Sequence, residues 1–133
     1  MSDNVTSTFK GSCFRICHCD GAKETLDAAL KKLRKNKADA YKRQLMVHLE
    51  RLSEGKRLSS ETIRKEGDLP CLVGKTPKCF WALKKIPIRA YFWYSDKHPS
   101  TCFVSHYTYK DFDKLSQADI NIIHCNWNKI ERG

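Results

Sequence analysis

Positively charged and imidazole side chains concentrate in the second half of the chain, at spacings that suit phosphate chemistry. The residues concerned are Lys84, Lys85, Arg89, His106, Lys110 and Lys114. Imidazole exchanges a proton near neutral pH, so His106 is the candidate general acid or base. A guanidinium binds phosphate through two parallel hydrogen bonds, so Arg89 is the candidate phosphate clamp. These residue types suit RNA cleavage, in which the 2′-hydroxyl is an internal nucleophile and neither a metal ion nor another cofactor is required.

Aromatic residues alternate with these charges along the same stretch. Tyr91 and Tyr109 are the candidates for stacking against unpaired RNA bases, and Trp93 and Tyr107 lie beside them. Each feature also has a plainer interpretation. The aromatic side chains could be half of a core, His106 could only satisfy a backbone partner on a sheet face, and the lysines could simply keep the surface charged.

Charge and composition limit the classes of partner. The chain has 133 residues and a formal net charge of +10, from 25 Lys and Arg against 15 Asp and Glu. A domain this basic favours a polyanion over a small neutral metabolite, and charge alone leaves open nucleic acid, an acidic protein or an anionic membrane surface. The length predicts one domain over residues 1–133, with 1–8 flexible. The sequence contains no apolar run long enough for a membrane helix, and the polar stretch from Met1 to Lys10 predicts that there is no secretory signal.

Seven cysteines predict reduced thiols in the cytoplasm, because a secreted disulfide scaffold normally carries an even number. The residue types of a metal site occur together near the start of the chain, at Cys13, Cys17, His18 and Cys19. They alternate along a predicted strand, which points His18 away from Cys17 and Cys19, and they lack the paired spacing of zinc sites. The sequence therefore predicts no metal site.

The hydrophobic pattern predicts a strand over Phe9–Cys19 and then a helical hairpin over Ala22–Arg51. A polar loop follows over Lys56–Pro70. Three strands are predicted from Cys79 to Tyr109, with a turn at Asp96–Pro99. Ser116 is the predicted N-cap of a last helix, with Asp119 three residues on. The predicted fold class is α+β: a small antiparallel β-sheet with the N-terminal helical hairpin and the C-terminal helix against one face.

The second half of the chain resembles the RelE/ParE superfamily of type II toxins, and most of all its HigB-like (phage Gp49-like) branch. Three segments carry the resemblance: Phe80-Trp81-Ala82-Leu83-Lys84, Ile88-Arg89-Ala90-Tyr91-Phe92-Trp93 and Cys102-Phe103-Val104-Ser105-His106. Ser116 and Asp119-Ile120, at the start of the last helix, also match the family pattern. The resemblance covers about residues 38 to 125. Ala82 replaces the usual glutamate of the family, and Tyr107 replaces a glycine.

This resemblance implies a RelE-like fold and a toxin that cleaves mRNA, with the ribosome as a partner and a cognate antitoxin that covers the active face. Under it, His106 is the general acid or base, and Arg89, Lys110 and Lys114 hold phosphate. Lys84 or Lys85 supports the leaving group. Two other classes stay open: a ParE-like inhibitor of DNA gyrase that has no catalytic cluster, and an RNA- or ribosome-binding module without toxicity.

Overall fold

The computed structural model describes residues 5–71, 73–110 and 115–133, with the backbone alone for 5–8. Six strands and three helices follow one another along the chain. They are β1 (Val5–Lys10), β2 (Arg15–Cys19), α1 (Ala22–Leu30), α2 (Lys35–Ser53), β3 (Ile63–Asp68), β4 (Cys79–Lys85), β5 (Ile88–Tyr94), β6 (Thr101–Tyr109) and α3 (Gln117–Glu131).

The six strands form one mixed sheet in the order β1-β2-β6-β5-β4-β3. Strands β3 to β6 are an antiparallel meander, whereas β2 runs parallel to β6, with Arg15 facing Thr101. The predicted small antiparallel sheet is therefore wrong. Alternation within a strand shows which face is buried, but it does not show that β2 would pair with a strand more than 80 residues away.

The predicted N-terminal helical hairpin is also wrong. α1 and α2 are separate helices joined by residues 31–34, and their apolar stripes face the sheet more than each other. Leu26 and Leu30 of α1, with Leu45 and Leu49 of α2, join the same core as Phe92 of β5. The stripes predicted the two helices correctly, but a stripe does not identify the surface that it packs against.

Helices cover both faces of the sheet, where the sequence predicted one. α3 packs on the face opposite α1 and α2, and its Ile123 and Trp127 contact the core around Trp93 and Phe103. The sheet is therefore the middle of three layers. This places α3 over the face of the sheet that carries His106.

Two strands were missed at the edges of the sheet. The predicted strand Phe9–Cys19 is a hairpin, with residues 11–14 turning between β1 and β2. β1 begins at Val5, inside the segment expected to be flexible, while residues 1–4 lie outside the described chain. β3 occupies part of the predicted loop Lys56–Pro70. Its residues are mostly polar and half-exposed, as suits an edge strand, and this hid it from a search for apolar alternation.

Candidate functional site

The register of β4, β5 and β6 brings four of the predicted site residues onto the face under α3. Lys84 lies opposite Arg89, and Tyr91 lies opposite His106. Tyr91 belongs to the core beneath α3. Arg89 lies two residues before Tyr91 in β5, so the two side chains share a face. Lys84 is the cross-strand partner of Arg89 and therefore points to that face as well. Lys110 follows β6 directly and completes the group. We call Lys84, Arg89, Tyr91, His106 and Lys110, with Asp119 of α3, the His106 cluster.

A β-bulge at Ser105 in β6 determines the direction in which the His106 side chain points. The pairing slips between Tyr91 and Phe92, which face His106 and Val104, so that Ser105 is an extra residue. Such a bulge turns two consecutive side chains toward one face. Ser105 and His106 therefore both point at α3, and the Ser105 Oγ lies 2.9 Å from the His106 Nδ1. Asn126 of α3 donates to the Ser105 Oγ at 2.9 Å.

Asp119 connects the helix to the sheet. Its carboxylate lies 3.0 Å from the His106 Nε2 and 2.9 Å from the Lys110 Nζ, and it accepts a 2.8 Å bond from the Ser116 hydroxyl. The Ser116 Oγ in turn accepts from the Asp119 backbone N–H, so the predicted N-cap is confirmed. Burial on its own would raise the pKa of Asp119. The bonds from His106, Lys110 and Ser116 outweigh burial and hold that pKa well below its usual range.

The hydrogen-bond chain fixes the proton positions around His106. An ionised carboxylate only accepts, so the His106 Nε2 carries a proton and donates to Asp119. With the ring neutral, the Nδ1 is an acceptor and the Ser105 hydroxyl donates to it. Asn126, Ser105 and His106 therefore all donate in one direction, toward Asp119. This arrangement orients the imidazole ring between α3 and the sheet.

Burial differs strongly across the cluster. His106 is 3% exposed and Arg89 1%, whereas the side chain of Lys110 is 19% exposed. Lys110 is therefore the member that solvent reaches most easily. The hydroxyl of Tyr91 is buried and has no hydrogen-bond partner in the described part of the chain. Burial, together with the charge of Asp119, raises the pKa of Tyr91, so this phenol stays neutral.

Two predicted site residues, Lys85 and Tyr109, lie on the face of the sheet under α1 and α2, away from the His106 cluster. The ammonium of Lys85 lies 5.0 Å from the centre of the Tyr41 ring of α2. Tyr109 contacts the core under α1 and α2, and Lys32 lies over its ring. Each is one residue away from a member of the cluster, and one position along a strand reverses the face. Lys114 lies outside the described residues.

Sequence reasoning missed three members of the hydrogen-bond network. Asp119 was recognised only as a helix-capping residue, although its position in the capping pattern placed a carboxylate near the end of β6. Ser105 and Asn126 gave no signal, because the bulge that aims Ser105 is not visible in the hydrophobic pattern. A Ser105–His106–Asp119 sequence of bonds also suggests a nucleophilic serine. Ser105 is 1% exposed and its oxygen is already bonded, which leaves no room for a substrate carbonyl.

The cysteine- and histidine-containing segment at the start of the chain divides between the two faces. Cys17 and Cys19 lie in the core under α3, and Cys13 is exposed in the β1–β2 turn. His18 points to the other face and bonds the Tyr107 hydroxyl at 2.7 Å. Burial, with a smaller contribution from Lys23, lowers the pKa of His18 to about 4. Across residues 5–71, 73–110 and 115–133, no three His, Cys, Asp or Glu side chains are placed to share a metal ion.

Comparison with protein-family models, with curated proteins and with solved structures finds no match. The resemblance to RelE/ParE toxins therefore stays a prediction from the sequence. Within the described residues, no helix combines the length and the apolar character needed to cross a membrane.

Proposed function

We propose that this chain binds RNA and cleaves it without a metal ion, as the toxin of a toxin–antitoxin pair. The observation that carries the proposal is the convergence of Lys84, Arg89, His106 and Lys110 on one face of the sheet, in a protein of net charge +10. These are the residue types that RNA cleavage needs: a proton carrier and cations for a phosphate that gains charge.

The reaction assigns a role to each side chain. The 2′-oxygen of RNA attacks the neighbouring phosphorus, and the bond from phosphorus to the 5′-oxygen breaks. The 2′-proton goes to a base, and the departing 5′-oxygen gains a proton from an acid. His106 serves in one of these transfers, and Asp119 stabilises its charged form at 3.0 Å. Lys110 and Arg89 balance the charge that develops on the phosphate.

Burial of His106 sets a condition on this chemistry. Both ring nitrogens are occupied, one by Ser105 and one by Asp119. Substrate must displace one of these contacts before the imidazole can reach it. The Asp119 side is nearer to solvent, because Lys110 lies there and bonds the same carboxylate. A phosphate that binds Lys110 competes directly with Asp119 for the ammonium.

RNA binding without cleavage is the second candidate. It is favoured by one observation, namely that His106 is 3% exposed and fully hydrogen-bonded. In that case the network from Asn126 to Lys110 is a structural link between α3 and the sheet. The basic surface then binds RNA or the ribosome, and no bond is broken.

The test is mRNA cleavage in a reconstituted translation reaction, with new 5′ ends mapped by primer extension in the presence and absence of ribosomes. Lys110→Ala is the test variant. Lys85→Ala is its matched control, because Lys85 is a lysine at the end of β4 on the opposite face of the same sheet. We expect wild-type protein and the control to produce the same new ends, and Lys110→Ala to lose at least ten-fold in cleavage rate.

The outcomes separate the two candidates. RNA that stays intact while the protein binds it shows the second candidate to be correct. Intact RNA without binding contradicts both, and inhibition of gyrase supercoiling then becomes the next measurement. An equal loss of cleavage rate in Lys110→Ala and Lys85→Ala would show that the rate depends on net charge and not on the His106 cluster.

A further inference from the structure

A second basic site lies at the other end of the sheet. An open cleft of about 460 Å³ lies between the β1–β2 turn and the β5–β6 turn. Strand β6 connects the two sites, with Thr101 at the cleft and Lys110 at the cluster. At about 3.3 Å per residue, the nine steps from Thr101 to Lys110 span roughly 30 Å, and the five steps from Thr101 to His106 span roughly 17 Å. The cleft is therefore distinct from the His106 cluster.

The charges that line the cleft are all positive. Lys10 and Arg15 face each other across the β1–β2 pair, and both are exposed. In the described chain, neither side chain has a carboxylate within ion-pairing distance, and no acidic residue lines the cleft. His98 reaches in from the opposite turn. Two adjacent cations without a carboxylate form a site that favours an anion.

Polar and aromatic groups complete the lining. Ser12 and Ser100 also line the cleft, and the Ser12 hydroxyl donates to the Glu54 carbonyl at 3.5 Å. Phe14, another lining residue, is half-buried and contacts Tyr94, with ring centres 5.4 Å apart. Cations beside an aromatic ring are typical of surfaces that bind single-stranded nucleic acid, where the backbone meets the charge and a base stacks on the ring.

The walls of the cleft are held in place before any ligand arrives. The Ser53 carbonyl at the end of α2 accepts the backbone N–H groups of Cys13 and Phe14, at 3.0 and 2.8 Å. A Cβ at Gly11 would lie 2.4 Å from the same carbonyl, so the turn packs directly against α2. Arg15 is tied to the opposite wall, because its N–H donates to the Ser100 carbonyl at 2.8 Å. A rigid site loses little entropy on binding.

We propose that this cleft binds the phosphate backbone of single-stranded RNA. Lys10 and Arg15 pair with phosphate groups, and Phe14 supports a base. The inference rests on the proposed function for the choice of RNA. It goes beyond that function by assigning a binding site far from the reacting phosphate, so that a strand held in the cleft extends toward the His106 cluster.

The test uses a fluorescent single-stranded oligonucleotide with 2′-O-methyl groups, which binds but cannot be cleaved. The test variant is Lys10→Gln with Arg15→Gln. The matched control is Lys37→Gln with Arg43→Gln, which removes the same charge from exposed positions of α2. Each contact with a single-stranded backbone contributes about 0.7 to the slope of log K against log salt. We therefore expect the test variant to lose about 1.4 from that slope and the control to lose much less.

Equal slopes in the two double variants would overturn the assignment of the cleft. Cleavage of unmodified RNA by the wild-type protein is measured as well, so that the result for the cleft is kept separate from the proposed function. If the wild-type protein binds through the cleft but cleaves no RNA, the cleft stands and the catalytic proposal fails. If it cleaves RNA while the Lys10 and Arg15 changes leave the slope at the control value, the cluster stands and the cleft fails.

Discussion

At the residue scale, two buried histidines have different partners. His106 donates to the Asp119 carboxylate, whereas His18 shares a 2.7 Å hydrogen bond with the Tyr107 hydroxyl, whose own pKa is raised by burial. A carboxylate can only accept, which places a proton on the His106 Nε2, whereas a neutral phenol can donate or accept. Burial lowers the pKa of His18, so this imidazole resists gaining a second proton.

Asp119→Asn should weaken the folded protein most at neutral pH. The pKa of Asp119 is lowered in the folded state, so its stabilising effect is present above the usual value of about 4 and is lost as the pH falls below it. Removing one partner from a buried charged network costs about 3 to 5 kcal/mol. Urea unfolding at pH 7 and pH 3 measures this. The wild-type advantage should shrink at pH 3, and an advantage that is independent of pH contradicts the assignment.

His18→Gln should remove part of the acid sensitivity of the wild-type protein. The pKa of His18 is about 4 in the folded chain and about 6.5 when unfolded, so the unfolded state binds the proton first. Stability is then highest above pH 6.5 and falls as the pH drops toward 4. This single group accounts for about 3 kcal/mol of that loss. The free energy of unfolding should be followed from pH 7.5 to 4 for both proteins. Parallel curves would show that His18 is not the group responsible.

At the element scale, α3 is fixed to the sheet at both ends. Asp119 near its start bonds His106 and Lys110. At its end, the Glu131 carboxylate accepts from the Trp93 indole, the Ser95 hydroxyl and the N–H groups of the β5–β6 turn. α3 therefore covers the His106 cluster, and solvent reaches the cluster most easily at the Lys110 side.

Glu131→Ala should loosen the β5–β6 turn. The change leaves the backbone N–H groups of Asp96 and Lys97 without their acceptor and costs about 2 to 4 kcal/mol. Hydrogen exchange should speed up at these two amides and change little in β2. Glu50→Ala is the control, because Glu50 is exposed on α2. Unchanged exchange at Asp96 and Lys97 would contradict the role given to Glu131.

The sequence predicted elements better than their arrangement. The helix stripes, the Ser116 cap and the turn at Asp96–Pro99 all follow from local spacing, and the structure has them. The parallel pairing of β2 with β6 depends on residues far apart in the chain, and no local pattern records it. The same holds for the site. Residue type identified His106 and Lys110, but the bulge at Ser105 and the bond to Asp119 came from tertiary contacts.

At the scale of the whole molecule, positive charge is spread over two separate sites on one sheet. The His106 cluster has Lys84, Arg89 and Lys110, of which Lys110 pairs with Asp119, and the cleft has Lys10 and Arg15 near the start of β6. A polyanion that contacts the cleft and His106 must extend along the sheet for roughly 17 Å, and for roughly 30 Å if it also reaches Lys110. An RNA strand meets this requirement, whereas a mononucleotide does not.

The most direct test of the central claim is the chemistry of the RNA ends that the purified protein produces. Attack by the 2′-oxygen leaves a 2′,3′-cyclic phosphate on one product and a 5′-hydroxyl on the other. We expect these ends from the wild-type protein in the presence of EDTA, and no cut where the attacking nucleotide is 2′-deoxy. Products with 5′-phosphate ends, cleavage that EDTA abolishes, or RNA that stays intact would contradict cleavage by the His106 cluster.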